Sequence, residues 1–297
     1  MIAIHDLVAA ARERLRQAGL SSDEAEIDAR LLAEHLLGWD AARYFSAGAE
    51  ARPEGFEVRY EALVARRAAR EPLAYITGHQ EFWGLDLVVS PAVMVPRPES
   101  ELIVEAALEI LAPRTAEASP DEEAARSVVA DVCTGSGCLA IAIARERPGA
   151  QIAAGDVSGD ALGIAAANAA RHGVSARIRF VRSDLLDTSG VPGGAFDLIV
   201  SNPPYVPDGD RALLPPEVRD YEPPLALFAG ADGLDVIRRL VAQAPSRLKR
   251  GGALVFELGF GQADAVAQLI SATSGLKMIA IRPDLQGIPR TAVALRL

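Results

Sequence analysis

The residues best suited to chemistry are Asn202, Pro203, Pro204 and Tyr205, which follow the short apolar run Phe196–Ser201. The run predicts a buried strand, and two consecutive prolines must end it because they cannot donate to a sheet ladder or continue a helix. The side-chain oxygen of Asn202 and the backbone carbonyl of Pro203 are neighbouring acceptors, which can hold both hydrogens of a planar NH2 group. Tyr205 can stack on the flat face of that group. The corner therefore suits attack by a planar amine or amide nitrogen, and a proline-rich turn with Asn202 as a local cap is the alternative.

A second cluster lies upstream, where the apolar strand Val128–Val132 leads into a short glycine-containing loop and then an apolar helix. Strand, glycine turn and helix in this order are typical of a nucleotide-binding unit, because glycines let the backbone approach a ligand closely. The loop has neither the lysine of a Walker loop nor the spacing of a dinucleotide fingerprint. Its candidate cofactor-binding residues are Cys133, Thr134, Gly135, Ser136 and Gly137.

Two acidic residues end the next two predicted strands. Asp156 follows the glycines by about twenty positions, where a carboxylate can hydrogen-bond ribose hydroxyls. Asp184 can accept from an adenine amino group while Leu185 packs on the ring, and a helix cap is the alternative for Asp184. Because the carboxyl ends of successive parallel strands share one sheet edge, these residues and Asn202 are expected to meet there. The combination predicts group transfer from an adenosyl cofactor to a nitrogen.

Composition narrows the class of protein. The chain has 297 residues, half of them hydrophobic, and a formal net charge of −10, which disfavours non-specific binding to nucleic acid or anionic membranes. It has no apolar run near membrane-spanning length, and its start lacks the regions of a signal peptide. Two cysteines, Cys133 and Cys138, favour a reducing cytoplasm. We expect them to be small core residues rather than metal ligands, and we expect no metal.

The elements that must position these residues divide the chain into three parts. Residues 1–74 read as helices, with Gly19 and Gly38 as helix ends and Ser21 with Glu24 as a capping box. A third helix over residues 57–70 is expected to carry Val58, Leu63 and Val64 inside and its arginines on a solvated outer face; these are Arg59, Arg66, Arg67 and Arg70.

After residue 74 the periodicity changes. Residues 75–78 and 81–89 predict the arms of a hairpin, Ser100 is placed to cap a helix over 101–111, and residues 114–127 read as a surface loop. Two final strands, around Met278–Ile281 and Thr291–Leu295, predict an antiparallel pair at the edge of the sheet.

Several of these stretches resemble the HemK/PrmC family of bacterial methyltransferases, which act on a glutamine of peptide chain release factors. The linker signature lies in residues 72–78 (PLAYITG), 81–84 (EFWG) and 95–102 (VPRPESEL). The catalytic part is similar in residues 131–137 (DVCTGSG), Asp156, 202–205 (NPPY), Glu222 with Pro223, and 232–234 (DGL).

The resemblance implies an α/β fold: a Rossmann-like class I methyltransferase domain with a seven-stranded mixed sheet at 96–297, a helical release-factor-recognition domain at 1–74, and a β-hairpin linker at 75–95. It implies S-adenosylmethionine as methyl donor, S-adenosylhomocysteine as product, and the glutamine of a Gly-Gly-Gln motif as acceptor. Thr134 to Gly137 would contact the methionine end of the cofactor, Asp156 its ribose, and the corner Asn202–Tyr205 the glutamine, with Asn202 also touching the cofactor. We expect a cytoplasmic monomer whose partner is a release factor, without nucleic acid or membrane.

Two positions depart from the family pattern. Cys133 stands where glycine is usual, and Leu185 where some relatives carry an aromatic residue. The loop wording (CTGSGC) also resembles a sister group that methylates a ribosomal protein, whereas residues 97–101 (RPESE) favour the release-factor group. A DNA adenine methyltransferase, which shares the NPPY corner, and a non-catalytic cofactor-binding adapter are the alternatives from other classes.

Overall fold

The computed structural model describes residues 3–48, 53–112, 127–187 and 195–297. The chain folds into two compact units, the first comprising Met1–His79 with Pro215–Tyr221 and the second Gln80–Leu214 with Glu222–Leu297. The predicted domain limits at residues 74 and 95 stay a prediction. Among the described residues, no helix combines the length and the apolar character that crossing a membrane requires.

The first unit is helical, as the sequence predicts. Its helices are α1 (Ile4–Gln17), α2 (Ser22–Leu37), α3 (Ala41–Ala47), α4 (Phe56–Ala68), α5 (Leu73–Thr77) and the short helix Pro216–Tyr221. The capping box is confirmed: the Glu24 backbone N–H donates to Ser21 Oγ, and the Ser21 backbone N–H donates to the Glu24 carboxylate. Gly38 ends α2 in the left-handed region, at φ 63°, where glycine has no steric penalty. Helix α3 was not anticipated.

Two predictions about side-chain placement in this unit are wrong. Val58, expected inside, is 77% exposed. The prediction that Val64 is inside is confirmed, and it shares the buried face of α4 with Phe56 and Tyr60. Arg67, expected on a solvated face, is buried. Its guanidinium donates to Asp28 at 2.6 Å and to Glu217 at 3.0 Å, so burial is offset by two carboxylates. Glu217 lies 150 positions away in sequence, which is why the helical pattern alone could not reveal the pair.

A hairpin exists, but both of its predicted arms are misplaced. Residues 75–77 belong to α5, and Gly78 is its C-cap. The hairpin pairs β1 (His79–Phe82) with β2 (Leu85–Val88), so its turn at Trp83 and Gly84 falls inside the predicted second arm, 81–89. Gly78 ends the helix at φ 79°, so the turn residue that suggested a hairpin is a helix cap.

The second unit contains the predicted seven-stranded mixed sheet. Its strands are β3 (Val128–Val132), β4 (Gln151–Asp156), β5 (Ile178–Arg182), β6 (Phe196–Ser201), β7 (Leu248–Glu257), β8 (Leu276–Pro283) and β9 (Pro289–Arg296). The order across the sheet is β5-β4-β3-β6-β7-β9-β8. The first five strands in this order are parallel, and β9 is antiparallel to both β7 and β8, which confirms the antiparallel edge pair.

Helices cover both faces of the sheet, as a mostly parallel sheet requires. They are α6 (Glu101–Ile110), α7 (Cys138–Glu146), α8 (Gly159–Arg171), α9 (Asp235–Arg247) and α10 (Ala263–Ala272). Alternate residues of β6 point to opposite faces: Leu198 and Val200 join the core under α6 to α8, whereas Ile199 joins the core under α9 and α10. The loop predicted at 114–127 lies outside the described residues except for its last residue, Ser127.

Candidate active site

A cavity of about 240 Å³ opens at the carboxyl edge of the sheet. The residues that follow β3, β4, β5 and β6 contribute Cys133, Val157, Ser183 and Asn202 to its wall. The order of strands reverses between β3 and β6, and open parallel sheets bind ligands outside the strand ends at such a point. The residues that follow these four strands therefore meet at one edge of the sheet, as predicted from their order in the chain.

The cavity collects most of the residues predicted for cofactor and substrate. Its wall includes Cys133, Thr134, Gly135, Ser136, Asp156, Asp184, Leu185, Asn202 and Pro204. The predicted residues Gly137, Pro203 and Tyr205 are sequence neighbours of wall residues but are not themselves part of the wall. The roles assigned to all of these residues stay predictions.

The glycine loop turns through three residues with positive φ: Cys133 at 60°, Gly135 at 54° and Gly137 at 83°. A Cβ at Gly137 would lie 3.0 Å from the Ala165 side chain, so glycine there lets the loop pack closely on α8. A Cβ at Gly135 would meet nothing within 4 Å. Cys133 adopts a left-handed conformation in which a Cβ is sterically unfavourable. The departure from the glycine that the family usually has at this position therefore adds backbone strain to the loop.

Asp131 anchors the loop from inside. This buried carboxylate on β3 accepts from Thr134 Oγ1 at 2.6 Å and from the Ala140 N–H in the first turn of α7 at 3.1 Å. Burial raises the pKa of Asp131 to about 7, against the lowering effect of these two donors. One carboxyl therefore joins the strand end, the loop and the helix start. From the sequence, Asp131 was placed in the strand and in the family-like stretch 131–137, but it was given no role of its own.

Asp156 at the end of β4 is held in place by the backbone on both sides. Its Oδ2 accepts from the Gly135 N–H at 3.0 Å and its Oδ1 from the Ser158 N–H at 2.9 Å. The carboxylate also lines the cavity, so its remaining lone pairs face the space where a ribose is predicted.

After β5, three consecutive residues approach the same side of the cavity. Ser183 is buried and its hydroxyl lacks a partner among the described residues, while Leu185 is buried at φ 54°. Asp184 forms an exposed ion pair with Arg239 at 2.6 Å, rather than capping a helix with its side chain. The ion pair with Arg239 uses one oxygen of the Asp184 carboxylate. The other oxygen is left to accept from an adenine amino group, so the predicted adenine contact stays a prediction.

The Asn202 corner is tied into the interior by a chain of side chains. Asn202 Nδ2 donates to Ser100 Oγ at 2.7 Å, and Ser100 Oγ donates to Glu257 Oε2 at 2.6 Å. Tyr205 donates its hydroxyl to the other oxygen of Glu257 at 2.8 Å. The prediction that the Ser100 side chain caps helix α6 is wrong. A short 3-10 turn (Pro98–Ser100) precedes the helix, and the Ser100 hydroxyl donates to Glu257 instead.

The backbone of the corner is fixed by Gln262. Its side-chain nitrogen donates to the Tyr205 carbonyl at 2.9 Å, and its oxygen accepts from the Gly259 N–H at 2.8 Å. Gly233, at φ 73°, lies against the same carbonyl, and a Cβ there would approach it to 2.2 Å. The DGL stretch that contains Gly233 thus has a steric reason to carry glycine.

A half-buried ion pair lies beside the cavity, with Glu222 buried and Arg97 partly exposed. Arg97 donates to Glu222, whose neighbour Pro223 lines the cavity wall. Burial raises the pKa of Glu222 and the Arg97 charge lowers it. The pair links the linker motif to the segment after the corner, two stretches that the sequence alone left unconnected.

Asn168, which sequence reasoning only placed on a helix, connects the hairpin to the glycine loop. This buried amide exchanges both bonds with the backbone of Val88, at 2.7 and 2.9 Å, and donates to the Ser136 carbonyl at 2.9 Å. One amide thus forms hydrogen bonds with the backbone of both the hairpin strand and the glycine loop. An asparagine on the apolar face of a predicted helix was the feature of the sequence that could have indicated this role.

The two cysteines are poor nucleophiles in this setting. Burial raises the pKa of Cys133 and that of Cys138 to about 12, with nearby carboxylates adding to the effect. Within the described ranges, no group of three or more His, Cys, Asp or Glu side chains is arranged to hold a metal ion.

Comparison with known families agrees with this architecture. The family described as "PrmC N-terminal domain" matches residues 6–78, and that described as "Methyltransferase small domain" matches residues 108–213. A crystal structure of a methyltransferase from Pyrococcus furiosus superposes with a TM-score of 0.51 at 19% identity, over 79% of this chain and 96% of that one, which shows the shared fold.

Relatives similar over nearly the whole length are more specific. A release factor glutamine methyltransferase of Koribacter versatilis is 43% identical over 267 residues, 90% of each chain. One of Deinococcus radiodurans is 42% identical over 293 residues, 99% of this chain and 98% of that one. With this identity over this length, and with the sheet edge and the corner described above, the chain belongs to the family of release factor glutamine methyltransferases.

Proposed function

We propose that this protein transfers a methyl group from S-adenosylmethionine to the side-chain amide nitrogen of the glutamine in the Gly-Gly-Gln motif of a peptide chain release factor. The proposal includes a cytoplasmic monomer that acts on a protein, without nucleic acid, membrane or metal. The family to which the chain belongs and the layout of the cavity both support it.

The observation that carries the proposal is the polarity of the Asn202 amide. Its NH2 end is bonded to Ser100, so its oxygen is left as an acceptor at the cavity wall. An acceptor fixed in this way suits one hydrogen of a substrate NH2 group, and the Pro203 carbonyl is the neighbouring acceptor for the other.

The residues around the cavity fit the methyl donor. Asp156 is available to ribose hydroxyls, the buried hydroxyl of Ser183 has an unmet hydrogen-bonding capacity, and open space lies above Gly135. When bound, S-adenosylmethionine supplies an electrophilic methyl group on a sulfonium. We propose that Thr134 to Gly137 hold its methionine end and that Asp184 and Leu185 border the adenine.

The chain's own residues would act mainly by orientation. A glutamine amide is a poor nucleophile because its nitrogen lone pair is delocalised into the carbonyl. Acceptors at Asn202 and Pro203 would hold the two hydrogens in the plane, which favours electron density on the nitrogen and leaves its face open. Positioning of this kind can contribute up to roughly 7–11 kcal/mol to lowering a barrier. The nitrogen can lose its proton after transfer, so no basic side chain is required at the corner.

Recognition of the release factor is proposed for the helical unit, which lacks a catalytic cluster among its described residues. The formal net charge of −10 favours a protein partner over duplex DNA, because a DNA enzyme needs cationic contacts to phosphates.

Peptide mass mapping tests the proposal. The protein is incubated with labelled S-adenosylmethionine and one acceptor at a time: a release factor, ribosomal proteins or duplex DNA. We expect one added methyl on one glutamine of the release factor. A release factor with that glutamine replaced by glutamate, which keeps the shape and loses the NH2 group, is the matched control and should stay unlabelled. Label on ribosomal protein alone would reassign the substrate, label on DNA would reassign the class, and no label anywhere would leave a cofactor-binding adapter.

A further inference from the structure

Ser100 and Glu257 lie next to the catalytic corner, where both are almost completely buried and hydrogen-bonded to it. Ser100 borders the cavity wall, whereas Glu257 does not. Each is 1% exposed, and they join the 3-10 turn before α6 to the end of β7 across 157 positions of sequence. Burying a carboxylate is costly unless its bonds are needed, so this pair calls for an explanation.

The count of hydrogens decides what the pair does. A serine hydroxyl has one hydrogen, and an ionised carboxylate has none. Since Ser100 donates that hydrogen to Glu257, its oxygen can only accept from Asn202. The NH2 end of the Asn202 amide must therefore face Ser100, and the oxygen must face the other way.

We propose that Ser100 and Glu257 are positioning residues that fix the direction of the Asn202 amide, so that its oxygen and not its NH2 group faces the acceptor glutamine. This inference deepens the proposed function and rests on it. In the reverse orientation the corner would oppose an NH2 group with an NH2 group, and neither could accept.

The direction depends on the charge state of Glu257. Burial, with a contribution from the nearby Glu99, raises the pKa of Glu257, and the hydroxyls of Ser100 and Tyr205 and the positive charge of Arg290 oppose this rise by favouring the carboxylate. Its partner across the sheet, Thr291, is uncharged. A protonated Glu257 can donate to Ser100, whose own hydrogen is then free for Asn202 Oδ1. The amide could turn round, and the corner would lose its acceptor.

A purely structural role for the pair makes different predictions. Loss of packing or of a buried bond would lower stability and affect cofactor binding and turnover together. Loss of amide direction would lower kcat at saturating substrates and leave cofactor affinity unchanged, because the Asp156 side of the cavity does not involve the pair.

The experiment compares the variants Ser100→Ala, Ser100→Thr and Glu257→Gln with the wild-type protein. Methyl transfer to a release factor is followed as a function of pH, and S-adenosylmethionine affinity is measured by calorimetry. We expect Ser100→Ala to lower kcat roughly tenfold to a hundredfold, as loss of a bond to a charged group does, with cofactor affinity within about twofold of wild type. Ser100→Thr keeps the hydroxyl and should restore most of kcat.

Glu257→Gln supplies an independent measurement. A glutamine side chain can donate or accept toward Ser100, so it no longer selects one direction, and kcat should fall. In the wild type kcat should decline as the pH falls through the pKa of Glu257, and this acidic decline should be absent in Glu257→Gln.

A Ser100→Ala protein with near-normal kcat would overturn the inference, and so would Ser100→Thr as slow as Ser100→Ala, or an acidic decline that persists in Glu257→Gln. Should Ser100→Ala fail to fold, the pH profiles of the wild type and Glu257→Gln decide. A wild-type protein that methylates no release factor would instead refute the proposed function, and the two failures are thereby distinct.

Discussion

The hydroxyl of Tyr205 donates to Glu257 Oε1 at 2.8 Å, so the aromatic residue of the corner is anchored at its polar end inside the protein. The ring packs among the core residues beneath α9 and α10. Burial and the adjacent Glu257 raise the pKa of Tyr205 well above its usual value, so the phenol stays protonated and remains a donor. Stacking of the ring on the substrate amide stays a prediction, but the bond fixes where the ring can be.

Tyr205→Phe tests the worth of this anchor. The change keeps the ring and removes one of two hydroxyl donors to a buried carboxylate, so we expect the free energy of unfolding to fall by about 1.5–3 kcal/mol. The Glu257 pKa should rise further. Urea unfolding measures the stability. Tyr221→Phe is the matched control, since that hydroxyl donates to the Ala69 carbonyl at an exposed site, and its cost should be below about 1 kcal/mol. Equal costs for the two variants would contradict the interpretation.

Gly233→Ala tests the fixed backbone behind the corner. A Cβ at Gly233 would lie 2.2 Å from the Tyr205 carbonyl, which must shift and take the corner with it. We expect a loss of stability of about 2–5 kcal/mol from strain and overpacking together, and a lower rate of methyl transfer with cofactor still bound.

Gly251→Ala is its control. Gly251 has the same φ, 73°, and a Cβ there meets nothing within 4 Å. Only backbone strain is added, about 1–2 kcal/mol, and methyl transfer should be unaffected. Comparable loss of activity in both variants would refute the steric argument.

Asp131→Asn tests the buried carboxyl under the glycine loop. Its pKa is raised to about 7 in the folded protein, so over roughly pH 4–7 the folded state keeps a proton that the unfolded chain releases. The stabilising contribution is present in full below that window and is lost as the pH rises through it, by up to about 1.4 kcal/mol per pH unit. Asparagine cannot titrate and should remove this component of the slope. Urea unfolding of both proteins across the window measures it, and parallel slopes would show that Asp131 does not carry the proton.

The sequence predicted the parts of this molecule that depend on local patterns. Alternating and apolar runs gave the strands of the sheet, and the chain order brought their carboxyl ends, with Asp156 and Asn202, to one edge. The failures are interactions between distant residues. Ser100 read as a helix cap because the nearest helix was the only local use for its hydroxyl, whereas its partner Glu257 lies 157 positions away. The prediction missed the five-residue helix α5, because little more than one turn is too short to show a helical period.

Arg67→Ala tests the other long-range pair that local patterns missed. Arg67 is 4% exposed and bonds both Asp28 and Glu217. Its removal leaves the buried Asp28 without its cation, while Glu217 keeps its bonds to Arg70. Breaking this buried pair should cost about 3–5 kcal/mol in thermal or urea unfolding. Arg66→Ala, which breaks a more exposed pair with Glu71, should cost below about 1 kcal/mol. An equally small effect at Arg67 would restore the solvated face that the sequence suggested.

The most direct test of the central claim is to measure S-adenosylmethionine affinity and release-factor methylation in Asn202→Ala. We expect the dissociation constant of the cofactor to change by only a few fold, because most of the cavity wall remains, and turnover to be lost with the acceptor. An Asn202→Ala protein that methylates the release factor at a near-normal rate would contradict the claim.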